Sequence, residues 1–220
     1  MITYLVPIGR AGFELYSEPP VDLDDESAPQ EGMIRRWIHQ AGLQWNEMVE
    51  RARQRGHKTT FARWRDQIVC RLAESIAEQR TLWALRNAGA ATARFPSTST
   101  AAEAQAALQK ILLRARIHHG RWGLIDLLIT CITGPLFFFV PGPNVVSWYF
   151  AFRTLGHWQS WRGARQGLSQ ITWTFEPSDE LAELGRLVHL PRSTRASRVA
   201  EIAAGLNLPR LSAFFDRVAV

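Results

Sequence analysis

Residues 134–144 read GPLFFFVPGPN, and the way this stretch packs decides the fold. From Gly123 to Val140 the 18 residues carry one charge, Asp126. A helix of that length reaches ~27 Å at ~1.5 Å per residue, the lower limit for crossing a bilayer. Pro141, Gly142 and Pro143 end such a helix, because proline removes a backbone donor and glycine permits a tight turn. Pro143 also suits the first position of a new helix. The expectation is therefore an apolar helical hairpin that kinks at Gly134-Pro135 and turns at 141–143.

Both flanks of the segment are basic. Lys110, Arg114, Arg116 and Arg121 precede it, and Arg153, Arg162 and Arg165 follow. A single transmembrane pass has asymmetric flanking charge, whereas a hairpin that enters and leaves one leaflet is basic at both ends. Trp122, Trp158 and Trp161 then stand at the membrane interface. The residues after the turn are few for a full span, so a re-entrant hairpin is expected. The competing reading is a hairpin buried in a soluble aromatic core, which nine tryptophans and a mean hydropathy of -0.13 also suit.

On the second arm Tyr149, Arg153, His157 and Trp161 recur every four residues and share one helix face. In an antiparallel hairpin Asp126 can approach Arg153, offsetting the cost of burying either charge alone. A histidine beside such a pair can carry protons near neutral pH. The functional candidates are Asp126, Asn144, Tyr149, Arg153 and His157. The plainer role for Arg153 and His157 is interfacial, bonding carbonyls or lipid phosphate.

The surrounding chain is read as mainly helical, within one domain over 1–220. Residues 2–17, TYLVPIG and AGFELYS around Gly9 and Gly12, alternate as a β-hairpin. QITWTFE at 170–176 is the other strand expected, pairing with that hairpin in a three-stranded antiparallel sheet. Apolar residues at helical spacing, Ile34 to Ala52 and Phe61 to Trp83, predict a helical hairpin over 31–87. GAATARFPSTST reads as a small-residue loop, and Thr100 with Glu103 forms a capping box. The next stretch, 100–168, holds the long helix, the apolar hairpin and its second helix. His118 and His119 read as surface residues that do not share a metal. Residues 178–218 read as C-terminal helices, the last two joined by a turn at 205–208, with Pro209 at a first helical position.

Composition narrows the function. The 220 residues carry a net charge of +6, and all but two of the 26 basic residues are arginine, which favours an anionic partner. Cys70 and Cys131 have no metal or disulfide spacing, which fits a reducing compartment. The N-terminus lacks the pattern of a signal peptide. No P-loop, GxGxxG, GxSxG or HExxH is present, so no enzyme, cofactor or metal is expected. VAEIAAGLNLPRLSAFFDRV has the length of a helix-turn-helix. Its second helix offers mostly apolar side chains to base edges, which argues against nucleic-acid binding; that binding stands, with a basic helical scaffold, as the alternative.

The run VPGPNVVSWYFAFRTLGHWQSWRGAR resembles the mitochondrial K+/H+ exchange-related family. The positions that carry the resemblance are Pro141, Pro143, Asn144, Tyr149, Arg153 and His157, sharpest over 123–168. The resemblance implies a membrane-associated accessory factor or subunit of potassium/proton exchange, with the membrane phospholipid surface, an exchanger or a second copy as partners. One hairpin cannot supply the alternating-access pathway of a transporter. The arginine-rich chain without a Ser/Arg presequence suggests a prokaryotic member, at the cytoplasmic face of the inner membrane. A eukaryotic member would lie at the mitochondrial inner membrane.

Overall fold

The computed structural model describes residues 1–9, 12–18, 81–138 and 145–219, with the side chains of 136–138 and 145–148 excepted. Its elements are β1 (Ile2–Pro7), β2 (Phe13–Tyr16), β3 (Ala90–Pro96), α1 (Ala101–Phe138), α2 (Val145–Ser169), β4 (Thr172–Ser178), α3 (Asp179–Leu187), α4 (Arg192–Gly205) and α5 (Leu211–Val218). These belong to a compact unit made of Met1–Pro19 and Arg80–Val220. The helical hairpin expected over 31–87 lies outside the described residues except for 81–87, helical at 81–85, and the 141–143 turn lies wholly outside them.

The sheet has four strands in the order β2-β1-β3-β4, not three. β1 and β2 form the expected antiparallel hairpin, with Tyr4 opposite Tyr16 and Pro7 opposite Phe13. Gly9 has a φ of 91°, open to a residue without Cβ, and Ile8 N–H donates to Gly12 O at 2.9 Å. β3 runs parallel to both β1 and β4, with Thr92 opposite Ile2 and Thr174. The sheet is therefore mixed, and β4 pairs with β3 rather than with the hairpin. The expected loop at 89–100 hides β3 because AATARFP is poor in β-branched residues. Its alanines work in an inner strand: Ala91 and Ala93 are buried, and their small side chains let helices approach the sheet.

Two helical layers cover the sheet. Tyr4, Val6 and Tyr16 pack on one face against α3, α4 and α5 through Leu181, Leu184, Val199, Ile202, Leu211 and Phe215. Leu5, Leu15, Ala93 and Phe95 pack on the other against Leu85 and the first turns of α1, Ala104, Leu108 and Leu112. β1 is thus buried on both faces, as suits a strand with parallel and antiparallel neighbours. Parallel pairing of β3 and β4 requires a long crossover, and α1 with α2 provides it.

The helix ends follow local chemistry. Thr100 N–H donates to Glu103 Oε2 at 2.8 Å while Glu103 N–H donates to Thr100 Oγ1 at 3.2 Å, the reciprocal capping box. Ser178 Oγ accepts from Leu181 N–H and caps α3. α4 ends in a Schellman motif: Leu208 N–H donates to Ala203 O at 2.8 Å, Asn207 N–H to Ala204 O at 3.0 Å, and Asn207 takes a φ of 56°. Pro209 lies before the N-cap Arg210 of α5, not at its first helical position. α5 turns Leu211, Phe214 and Phe215 into the core, while Asp216 Oδ2 pairs with Arg192 Nε at 2.9 Å.

Candidate functional site

α1 and α2 pack along their length as a helical hairpin, with α1 continuing through Pro135 to Phe138. Two glycines mark close approaches, and at Gly163 only glycine fits. A Cβ at Gly163 would lie 1.7 Å from Leu82 O, and one at Gly123 would lie 3.2 Å from His157 Cβ. The first anchors the root of α2 on the helical residues 81–85. The second brings the two helices together where the polar residues face inward.

The inward face of α1 changes character along its length. Ala104, Leu108 and Leu112 are apolar and meet the sheet. Two to four turns beyond Leu112, the same face presents His119, Gly123 and Asp126 to α2. Asp126 is 1% exposed and His157 and Ser160 are buried. The outward face changes in the opposite sense. Toward the root it carries Lys110, Arg114 and Arg121, all exposed. Toward the turn it carries Leu124, Leu127, Leu128 and Ile132, with Ile132 66% exposed, and α2 adds Phe152, Leu155 and Trp158. The outer half of the hairpin is inside out, with polar groups within and apolar groups without.

This corrects the expectation of a long apolar hairpin: the helices are there, but among the described residues none is long and apolar enough to cross a membrane. The apolar residues of 123–135 occupy the outward side of α1 only, because the inward side is committed to Gly123, Asp126, Thr130 and Thr133. Thr130 Oγ1 donates to Asp126 O and Thr133 Oγ1 to Ile129 O, each at 2.8 Å.

The buried groups form a row across the two helices. Arg153 Nε lies 3.1 Å from Asp126 Oδ2, and His157 Nε2 lies 3.5 Å from the same atom. Neither contact is aligned as a hydrogen bond, so among the described residues Asp126 Oδ2 is held by charge rather than by a directed donor. Arg153 Nη1 donates to Tyr149 Oη at 3.4 Å, with its guanidinium 5.7 Å from that ring centre. His119 Nδ1 and His157 Nδ1 are 2.8 Å apart. His119, expected at the surface, is therefore turned inward, while its neighbour His118 is exposed. Adjacent helical residues diverge by about a quarter turn.

The geometry selects a tautomer. An imidazole pair at this distance needs one N–H and one lone pair. With the His157 proton on Nε2, the nitrogen nearer the carboxylate, His157 Nδ1 accepts and His119 Nδ1–H donates. Burial pushes the His157 imidazole pKa down, Asp126 opposes that shift, and Arg153 and His118 reinforce it. Burial lowers His119 to about 4, with His157 and His118 adding to the effect. Both shifts favour the neutral rings, and two neutral imidazoles can supply the N–H and the lone pair that the contact needs. The row His119, His157, Asp126 thus links a partly exposed ring to a buried carboxylate, through one contact of hydrogen-bond length between the imidazoles and a longer, unaligned one of 3.5 Å to the carboxylate.

Of the other sequence candidates, Trp122 and Trp158 are exposed, whereas Trp161 is partly buried and packs on Gly120. Arg162 stacks over Trp158 at 5.1 Å and Arg165 over Trp161 at 5.6 Å. Asn144, Pro141, Gly142 and Pro143 lie outside the described residues. His119 was absent from the sequence candidates. Its helical offset of seven residues from Asp126, two turns on one face, was the signal that placed it there. Among the described residues, no group of three or more His, Cys, Asp and Glu could hold a metal ion.

The fold is thus a mainly helical one around a small mixed sheet, with a helical hairpin whose outer half hides charge and displays apolar surface. The chain belongs to the family described as mitochondrial K+-H+ exchange-related, which it matches over residues 3–171. That span takes in the sheet strands β1 to β3, the whole hairpin and every sequence candidate. The family connects the chain to potassium/proton exchange. No curated protein and no solved structure matches it.

Proposed function

We propose that this protein is a membrane-associated accessory factor or subunit of potassium/proton exchange, which enters one leaflet with the outer half of the α1–α2 hairpin. The observation that carries the reading is the inverted polarity of that half. Burying Leu124, Leu128, Ile132, Phe152 and Leu155 in hydrocarbon is favourable at ~25 cal/mol per Å2, and in water the same area is a liability. From Asp126 to Phe138 the helix rises ~18 Å, close to the ~15 Å hydrocarbon depth of one leaflet. With the tip inserted, the ionic row and Trp122 and Trp158 stand at the headgroup boundary, where tryptophan is favoured. The hairpin enters and leaves the same side, so it needs no spanning helix.

In this role the row of His119, His157, Asp126 and Arg153 is the element that answers to protons, and a partner exchanger or a second copy supplies the ion pathway that one hairpin lacks. The site of action is the inner membrane, mitochondrial or bacterial, with the sheet and C-terminal helices on the proton-poor side. Flotation with phosphatidylcholine vesicles, followed by a carbonate wash, tests it. The wild-type protein stays with the vesicles through the wash, and the Leu128→Asp/Ile132→Asp variant, altered only at exposed positions, does not. A wild-type protein recovered wholly in the aqueous fraction would falsify the insertion. The link to exchange is tested by potassium-driven proton flux in membranes that contain or lack the protein.

A further inference from the structure

The charged residues of this protein are distributed unevenly in a way that net charge conceals. On the sheet and C-terminal helices three arginines form close ion pairs: Arg94 with Glu176, Arg192 with Asp216, and Arg198 with Glu183 and Glu201. On the hairpin, α1 carries acids only at Glu103 and Asp126 and α2 carries none. Asp126 is taken up by Arg153 and His157. Among the described residues Lys110, Arg114 and Arg121 therefore have no acidic partner.

These three side chains lie on one face of α1 and, with Leu113, Ile117, His118 and Trp122, line an open groove of about 440 Å3. The groove is cationic and apolar at once, and its apolar side continues directly into Leu124 and Leu128 toward the hairpin tip. We infer that this groove is a binding site for the headgroup of an anionic phospholipid, its phosphate held by Arg121 and its acyl chain lying along Leu124, with Lys110 and Arg114 adding their charge to the attraction of the anionic leaflet. Arginine offers a phosphate two parallel N–H donors, and a polybasic surface gains ~1 kcal/mol per cation beside an anionic leaflet. A nucleic acid would meet the same cations, but it has no apolar part to lay against Leu113, Ile117 and Trp122. The inference rests on the membrane reading above and adds to it a preference for lipid charge and the residues that exert it.

The test compares two variants of equal net charge, both changed at exposed positions, on vesicles of phosphatidylcholine with and without phosphatidylglycerol. Arg114→Gln/Arg121→Gln should lose about 30-fold in affinity for the phosphatidylglycerol vesicles. Arg186→Gln/Arg217→Gln, on the C-terminal helices, should lose little. Equal losses in the two variants, no loss in either, or tighter retention of the wild-type protein on duplex DNA than on the vesicles would overturn the site. The outcome is separable from insertion. If the tip inserts without this site, the wild-type and Arg114→Gln/Arg121→Gln proteins float equally with both vesicles and resist carbonate. If the site exists without insertion, the wild-type protein floats only with phosphatidylglycerol and carbonate releases it.

Discussion

The two halves of the α1–α2 hairpin obey opposite solvation rules. At the root, Leu108 and Leu112 are buried against Leu5 and Phe95 and the outward face is basic. Four turns further along the same helix, Asp126 is buried and Leu128 is 55% exposed. The root is built for water outside and apolar packing inside. The outer half reverses that arrangement, so one continuous helix carries both, which is what the proposed insertion requires. The contrast also explains why Asp126 needs Arg153: within an apolar environment an unaccompanied carboxylate is far costlier than a paired one.

The contrast can be broken most sharply by the same substitution at both ends. Leu112→Ala at the root is expected to destabilise the protein by about 2–5 kcal/mol, because it leaves a cavity among fully buried neighbours. Leu128→Ala should change stability in water by less than about 0.5 kcal/mol, since the side chain is already exposed. Chemical denaturation of both variants measures the difference, and similar losses would show that Leu128 is packed in solution.

A smaller effect is expected at the ionic row. Asp126→Asn leaves Arg153, which is partly exposed and can reach water, so the cost should be about 1–3 kcal/mol. The double variant Asp126→Asn/Arg153→Gln should recover part of that loss. Strict additivity in a double-mutant cycle would mean that the 3.1 Å pair contributes no coupling.

The smallest expected effect is on pH dependence. The folded protein holds His119 at about 4, below the ordinary 6.5, so the unfolded chain binds the proton first as pH falls. This stability is fully present above about pH 6.5 and is lost as pH falls toward 4. His157, also lowered, acts in the same direction. His119→Asn should flatten the slope of stability against pH within that window, read from midpoints of thermal unfolding. An unchanged slope would place the acid sensitivity elsewhere.

Local patterns made much of this structure legible. The Thr100/Glu103 box, the Gly9 to Gly12 turn, the Ser178 start of α3 and the four-residue spacing of Tyr149, Arg153 and His157 each depend on residues close in the chain, and each stands where local chemistry puts it. β3 was not legible. Its Ala-rich sequence has little strand propensity, and it is a strand because β1 and β4 flank it with open hydrogen-bonding edges. The parallel pairing was hidden for the same reason, since only the crossover through α1 and α2 sets the direction of β4.

By itself the sequence determined that a hairpin of two helices would carry basic roots, an apolar outer stretch and a polar stripe on its second arm, because composition and helical period suffice for that. Which side of α1 faces inward was decided by tertiary structure alone. Gly123 admits His157, and Arg153 and His157 draw Asp126 to the interior, so the leucines of the outer half are turned outward. A helix has one periodicity but two faces, and only its packing partner chooses between them.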